Sequence, residues 1–442
     1  MKARVPIGIW SEHPAGTRWA NEGVSRVLGF LIEGIAKRKK YCFHVVVERA
    51  IAEEVRDDLR SLDAMEGEDW LVHSPSLQQE RRLLPEAQLI SSPGVDPATV
   101  ARALYANAEV EVDGWLVLFP HFSGSTWLKR SKAALLPDAL PFDFPTGWME
   151  DWGPDGYWPQ WQRQSREVCE AADAVINFSQ HVALRHSASL FDVPQRKLRV
   201  LPLPPPDLLP ELPFLRARKQ DRHSREEAAE VLREHASLQG LTYLSRFPFE
   251  QCNFVVDCTQ DRPTKNLGLT VDAVERYVRR DRGDLKLFMT ASLHFDANWT
   301  RLPQIVENRQ FHRDFVSMPN LPREVHAALM HAAQLVVHSS FYEGIVGCLP
   351  FYEAVSVGTP CIFARGPHSI ELERVEPAAS QFIYDPYDTE GLLALVKKTI
   401  SERAAALEIQ QEICARLRRH RWSNAAHRYA QAALAGNQKR AR

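Results

Sequence analysis

Apolar residues along the chain fall into short runs separated by helical stripes. Pro6–Trp10, His44–Val47, Trp115–Phe119, Ala174–Phe178, Leu198–Leu201, Phe254–Cys258, Leu285–Met289, Leu335–His338, Cys361–Ala364 and Gln381–Tyr384 are strand-sized. Several lack polar alternation and are rich in Val, Ile and Leu, as parallel strands covered on both faces are. Between them the period changes. Val24, Val27, Leu28, Leu31, Ile32 and Ile35 form one apolar stripe, predicting a helix over Glu22–Lys37. Leu267, Val271, Val274 and Val278 line a second helix, with Arg279 and Arg280 near the end where cations suit the dipole. Strands alternating with helices predict an α/β fold of doubly wound parallel sheets, and this many strands need two of them.

The divider is Leu201-Pro-Leu-Pro-Pro-Pro-Asp-Leu-Leu-Pro210, whose five prolines make an extended, stiff segment that cannot continue a sheet interior. The expected organisation is a Rossmann-like domain over 1–205, a second over 206–420, and a C-terminal segment over 421–442 whose end, Asn437–Arg442, frays. The charged, helical stretch 211–240 opens the second domain.

Composition narrows the function classes. The 442 residues suffice for two large cores without disulfide or metal staples. Lys plus Arg (54) nearly balance Asp plus Glu (56), for a net charge of −2, which argues against a general nucleic-acid binder. No apolar run is long enough to span a bilayer, and Met1–Trp10 lacks a signal-peptide core, so the expected location is cytoplasmic, with peripheral contact on the inner face of a membrane left open. Seven scattered cysteines fit no common zinc spacing and read as reduced, mostly buried thiols.

Three stretches carry the candidate chemistry. In His338–Pro360 a strand ends, a Gly-bearing loop runs from Glu343 to Leu349, Pro350 takes the first helical position, and Gly358 caps the helix. A strand, a Gly-rich loop and a helix start make an anion site, with backbone N–H groups of Gly344, Ile345, Val346 and Gly347 facing a phosphate or a sugar hydroxyl. Glu343 and Glu353 then face the crevice at the strand ends; the bland alternative has Glu343 bonding its own loop and Glu353 solvated. In Asp257–Leu267, Arg262 and Lys265 precede a helix start and suit a diphosphate, the alternative being two solvated loop cations. In Gly16–Arg26, Gly23 opens the long helix and lets backbone approach a ligand, or is an ordinary loop residue. No Asp-x-Asp occurs, so diphosphate chemistry here is expected to use protein cations and dipoles and no metal or other cofactor.

These motifs together resemble the family 4 (group 1) retaining glycosyltransferases. Phe341-Tyr-Glu-Gly-Ile-Val-Gly through Glu353-Ala-Val-Ser-Val-Gly-Thr-Pro360 is similar to the family signature, and Arg262-Pro-Thr-Lys-Asn-Leu267 to its diphosphate motif. Ile176–Gln180 with Phe191–Pro202, Pro319–Val325, and His420–Ala426 match further segments in the same order. The resemblance implies the GT-B fold, two Rossmann-like domains facing a cleft, with the last helix crossing back to the first. It implies a hexose moved from a nucleotide-diphosphate sugar to a saccharide or lipid-linked acceptor, in surface polysaccharide or glycoconjugate synthesis, in the manner of a mannosyltransferase. Arg262 and Lys265 would take the diphosphate, Glu353 the ribose, Glu343 and the N–H groups of Gly344–Val346 the transferred sugar. Met318, in the Ser317–Pro319 loop, would lie against the base, and Gly23 would approach the phosphates. On the acceptor side the family's histidine corresponds to His121, or its place is taken by Pro137 beside Asp138.

One departure stands out: nine residues separate Glu343 and Glu353 where the family has seven. That spacing feeds the alternative of a noncatalytic relative that binds a nucleotide sugar as a partner or scaffold. An epimerase and a phosphate-dependent phosphorylase are further readings on the same fold. Gly147–Trp161 holds four tryptophans that line an acceptor cleft or dock a loop on the core. Lys37-Arg-Lys-Lys40 contacts anionic lipid or is simply solvated.

Overall fold

The computed structural model describes residues 4–16, 19, 23–144, 153, 156–292, 302–311, 313–418 and 421–440. Parts of two sequence expectations, the Gly16–Arg26 loop and the Gly147–Trp161 tryptophan run, lie outside them. The chain divides into two compact units, Met1–Pro204 with His420–Arg442, and Pro205–Arg419.

The first unit is built on a seven-stranded sheet. Its strands are β1 (Val5–Trp10), β2 (Tyr41–Val46), β3 (Trp70–His73), β4 (Gly114–Val117), β5 (Ser131–Leu136), β6 (Ala174–Asn177) and β7 (Leu198–Val200). The order is β3-β2-β1-β4-β5-β6-β7, and every pairing is parallel. The second unit has β8 (Phe254–Asp257), β9 (Lys286–Met289), β10 (Phe315–Ser317), β11 (Leu335–His338), β12 (Cys361–Ala364) and β13 (Ile383–Tyr384). Their order is β10-β9-β8-β11-β12-β13, again all parallel. Each order reverses once, between β1 and β4 in the first sheet and between β8 and β11 in the second. A doubly wound sheet opens a crevice at such a switch point, outside the carboxyl ends of its strands.

The predicted long helix forms over Gly23–Ala36 with its apolar stripe buried. Three strands were outside the predicted set. β3 and β10 are short strands at sheet edges. β5 begins Ser-Lys-Ala-Ala, a composition with little strand preference, yet all six residues are buried. Lys132 is tolerated there because its ammonium donates to the carbonyls of Ser125 (3.0 Å) and Leu128 (2.8 Å). Burial pulls its pKa down to about 8.

The C-terminal segment belongs to the first unit. The helix Trp422–Ala433 packs on Gly23–Ala36 so closely that a Cβ on Gly34 would stand 2.6 Å from the Trp422 carbonyl. Tyr429 donates its hydroxyl to Leu201 O at 3.0 Å. The fraying expected from Asn437 onward is corrected: Ala435–Arg440 is helical, Gly436 N donates to Ser131 Oγ, and Asn437 Nδ2 donates to Asp113 O.

Candidate functional site

The switch point of the second unit gathers most of the sequence-predicted residues. β8 and β11 each end an apolar run on one polar residue, Asp257 and His338, and both are buried. After β8 the chain makes one tight turn at Pro263–Lys265, and Asn266, in the left-handed region at φ 50°, starts the helix Leu267–Arg279. After β11 it runs through Ser339–Cys348 into the helix Leu349–Ser356. Serines tie the two loops together. Ser339 Oγ lies 2.6 Å from Lys265 O and 2.8 Å from Asp257 Oδ2, and Phe341 N donates to Thr264 O. Thr270 Oγ1 adds a second bond to Asp257 Oδ2. Burial nevertheless pushes the Asp257 carboxyl up to about 6.

This stapling brings Lys265 and Glu343, 78 residues apart, into one ion pair with Nζ 2.5 Å from Oε1. His338 Nε2 lies 2.9 Å from the same carboxylate oxygen. Burial opposes the Glu343 charge, but Lys265 and His338 outweigh it and hold the carboxyl far below its usual range. Burial likewise opposes a charged His338, and the Cys348 sulfur and Glu343 carboxylate outweigh it, holding the imidazole above its ordinary value. A lysine and a carboxylate that share a wall of a crevice, each with a polar atom still able to turn toward a ligand, suit an anion bearing hydroxyl groups.

The loop beside them is held open from behind. Gly347, at φ 69°, donates its N–H to His368 O, and Tyr352 donates its hydroxyl to Val346 O. Gly347 is thus removed from the expected set of free N–H donors. Those of Gly344, Ile345 and Val346 make no hydrogen bond among the described residues. Pro350 takes the second helical position rather than the first, behind Leu349. Gly358 ends the helix as expected. Its φ is 84°, its N–H bonds Val355 O and that of Thr359 bonds Ala354 O, and a Cβ there would press on the Lys219 backbone at 2.6 Å.

Glu353 is buried, only 1% exposed, with Oε2 3.3 Å from His326 Nε2, so the solvated alternative does not hold for it. Arg262 is brought less close. It is exposed, and its Nε donates to Gln260 Oε1 rather than to Glu343. Met318 is buried beyond β10, its N–H on Met289 O.

The remaining predicted residues lie in the first unit. Gly23 is exposed at the start of its helix, with nothing within 4 Å of an added Cβ. His121, beyond β4, is half-buried among Phe119, Phe122 and Trp161, with ring centroids 4.9 to 5.4 Å away. Asp138, beyond β5, accepts from Leu140 N at 3.4 Å. The unpredicted His13, beyond β1, packs edge-on against Trp19, Phe119 and Phe122. Burial lowers the pKa of His121 to about 3 and of His13 to about 4.

Among the described residues, Asp143, His181 and His186 form the one group of three metal-ligand types whose ligand atoms all lie within 4.8 Å of one another. His186 Nδ1 accepts Ala139 N–H, so its proton sits on Nε2, 2.7 Å from Asp143 Oδ2. Both ring nitrogens are spent on protein, and the cluster reads as a clasp between loops. His338, Asp257 and His326 were assigned no role by sequence reasoning. For the first two a signal existed: a single polar residue closing an apolar run.

No curated protein matches this chain significantly in sequence. Among solved structures it resembles Anabaena HepE in complex with UDP-glucose, at 14% identity and TM-score 0.64, over 97% of this chain and 99% of that one. It resembles sucrose-phosphate synthase from Thermosynechococcus elongatus at 14% identity and TM-score 0.66, over 99% and 100%. It resembles alpha,alpha-trehalose 6-phosphate synthase from Burkholderia multivorans at 12% and 0.63, over the full length of both. Residues 248–426, which contain Lys265, His338, Glu343 and Glu353, match the model of the family described as glycosyl transferases group 1. Over this span the chain matches the group 1 glycosyl transferases, and the two-sheet α/β architecture is the GT-B fold.

Proposed function

We propose that this chain transfers a hexose from a nucleoside-diphosphate sugar to a saccharide or lipid-linked acceptor, with retained anomeric configuration, as a family 4 enzyme does. The observation that carries the reading is the Lys265–Glu343–His338 cluster beside three open backbone N–H groups at the second switch point. A diphosphate needs fixed positive charge and backbone donors, and a sugar needs a carboxylate to accept its hydroxyls.

Lys265 and, from the rim, Arg262 take the diphosphate. Glu353, backed by His326, takes the ribose, and Glu343 takes the sugar hydroxyls. The extra residues between Glu343 and Glu353 are absorbed in the loop, and both carboxylates stay on elements flanking the crevice. The bond from the anomeric carbon to the phosphate oxygen breaks, the acceptor oxygen bonds that carbon on the same face, and its proton passes to the leaving phosphate. Lysine charge and helix-start dipoles aimed at the departing phosphate are preorganised, which removes the need for a protein nucleophile. No Asp-x-Asp pair is present to present a metal, so the protein cations carry this charge. UDP is favoured as the nucleotide because HepE was crystallised with UDP-glucose and UDP. Synthesis of a surface polysaccharide or glycoconjugate in the cytoplasm, with peripheral membrane contact for a lipid-linked acceptor, is the setting that suits such a donor site.

Thermal melting with UDP, GDP and ADP side by side tests the reading. One nucleotide at about 100 times its Kd should stabilise the fold by about 2.7 kcal/mol. Transfer or donor hydrolysis with the matching nucleotide sugar then separates an enzyme from a noncatalytic binder. Melting unmoved by all three nucleotides would sink the proposal.

A further inference from the structure

Lys265 and His338 share one acceptor, Glu343 Oε1, at 2.5 and 2.9 Å. The two donors differ in freedom. Lys265 sits in the turn after β8 on a long, unbranched stem, and its side chain is 14% exposed. His338 is the last residue of a central strand, its side chain 2% exposed, its backbone carbonyl accepting from the Tyr384 hydroxyl. The His368 ring stands edge-on to it with centroids 6.2 Å apart. The lysine can swing and the histidine cannot.

On the donor-site reading above, Lys265 turns toward the diphosphate when the nucleotide arrives. Glu343 then loses part of its counter-charge at the moment it must present an oxygen to the sugar. A carboxylate on a glycine-rich loop, released from its lysine, has several rotamers open to it. We infer that His338 is a positioning residue for the transferred sugar: its Nε2–H holds Glu343 in place after Lys265 has been drawn to the diphosphate. Neutral imidazole with its proton on Nε2 suffices, since the bond needs one donor and no charge. The assignment explains why a histidine is buried at the end of an otherwise apolar strand, where burial of a polar ring without a partner costs stability. It also divides the site. Binding of the nucleoside diphosphate depends on Lys265 and Glu353, whereas selection of the sugar depends on His338 acting through Glu343.

The test compares the full-length wild type with His338→Leu and His338→Gln. UDP and UDP-glucose binding are measured by calorimetry, and kcat and KM with the nucleotide sugar that best stabilises the wild type. His338→Leu should bind UDP within about twofold of wild type but lose about 10- to 100-fold toward the nucleotide sugar, the range for a lost hydrogen bond to a charged group. His338→Gln, whose amide can donate to Glu343, should recover most of that loss. Equal loss of UDP and nucleotide-sugar binding in His338→Leu, or loss of neither, overturns the role given to His338 while leaving the donor site standing. A wild type that binds no UDP-, GDP- or ADP-linked sugar better than it binds the free sugar overturns the donor-site reading itself. If His338→Leu fails to fold, His338→Phe, which keeps a buried ring without a donor, takes its place under the same outcomes: selective loss of nucleotide-sugar binding supports the role, and equal loss or no loss overturns it.

Discussion

The two switch points occupy the same place in two sheets of the same design, and they hold different chemistry. Beyond β1 and β4 stand His13 and His121, both kept neutral by burial among aromatic rings, beside Glu12, whose carboxyl accepts from Trp10 and is pushed up to about 7 by burial despite the nearby Arg102. Beyond β8 and β11 stand Lys265, Glu343 and His338, an ionic cluster in which each charge stabilises another. A shared backbone topology therefore fixes where a ligand goes and leaves its chemistry to a handful of residues at the strand ends. The charged crevice suits a diphosphate, and the neutral aromatic one suits a sugar face or an apolar acceptor. Breaking the charged one should abolish donor binding, and breaking the neutral one should not.

The largest effect expected is that of Lys265→Ala. Removing a preorganised donor at a developing charge should cut kcat/KM by about 100-fold or more, and the nucleotide should no longer raise the melting temperature. Arg262→Ala should cost less, because Arg262 is exposed and bonded to Gln260 while Lys265 is at the centre of the cluster. Steady-state kinetics on both variants check the ranking. Equal losses would mean that Arg262 moves inward when the donor binds.

A smaller effect sets individual buried groups of the two crevices apart by the sign of their response to pH. His13 and His121 titrate in the folded state at about 4 and about 3, below the ordinary 6.5. Each of these histidines thus binds fewer protons folded than unfolded, and its contribution to stability is full above pH 6.5 and falls as pH drops toward 4, whereas the buried Glu12 beside them, pushed up to about 7, has the opposite sign. Asp257 likewise runs the other way. Its folded value of about 6 lies above the ordinary 3.8, so its burial costs nothing below pH 3.8 and costs stability as pH rises to about 6. The gaps are worth about 3 to 5 kcal/mol at most. Urea unfolding between pH 4 and 7 should show the acid-side loss reduced in His121→Phe, and the loss on raising pH reduced in Asp257→Asn. Identical slopes in both variants and the wild type would erase the contrast between the two crevices.

Much of this contrast was legible in the sequence, unevenly. The charged site announced itself because loop, helix start and cations are contiguous within 257–267 and 338–360, and local spacing is what sequence patterns report. Glu353 was visible as a helix residue but not as buried, since burial depends on what packs over it. His338 and Asp257 were overlooked because a polar residue ending an apolar run resembles an ordinary strand boundary. The neutral site was nearly silent. His13, His121 and Trp161 lie far apart in sequence, and only the order of strands β1, β4 and β5 with the helix Tyr157–Ala171 brings their rings together. β5 itself escaped because alanine, lysine and serine state no preference that packing cannot override.

The smallest effect concerns how each unit is closed. The second unit is one continuous stretch of chain, whereas the first is completed by a helix from the far end, after the whole second unit has intervened. Tyr429, on that helix, is fully buried and donates to Leu201 O at the end of β7. Tyr429→Phe keeps the ring and deletes the bond, leaving a buried carbonyl short of a partner, which should cost about 1 to 3 kcal/mol. If closure by the returning helix is private to the first unit, this loss appears in the urea unfolding of the chain without nucleotide, and the Kd for the nucleotide is unchanged. A change in nucleotide Kd along with the stability loss would show that the two switch points are coupled through the returning helix rather than being independent crevices with different chemistry.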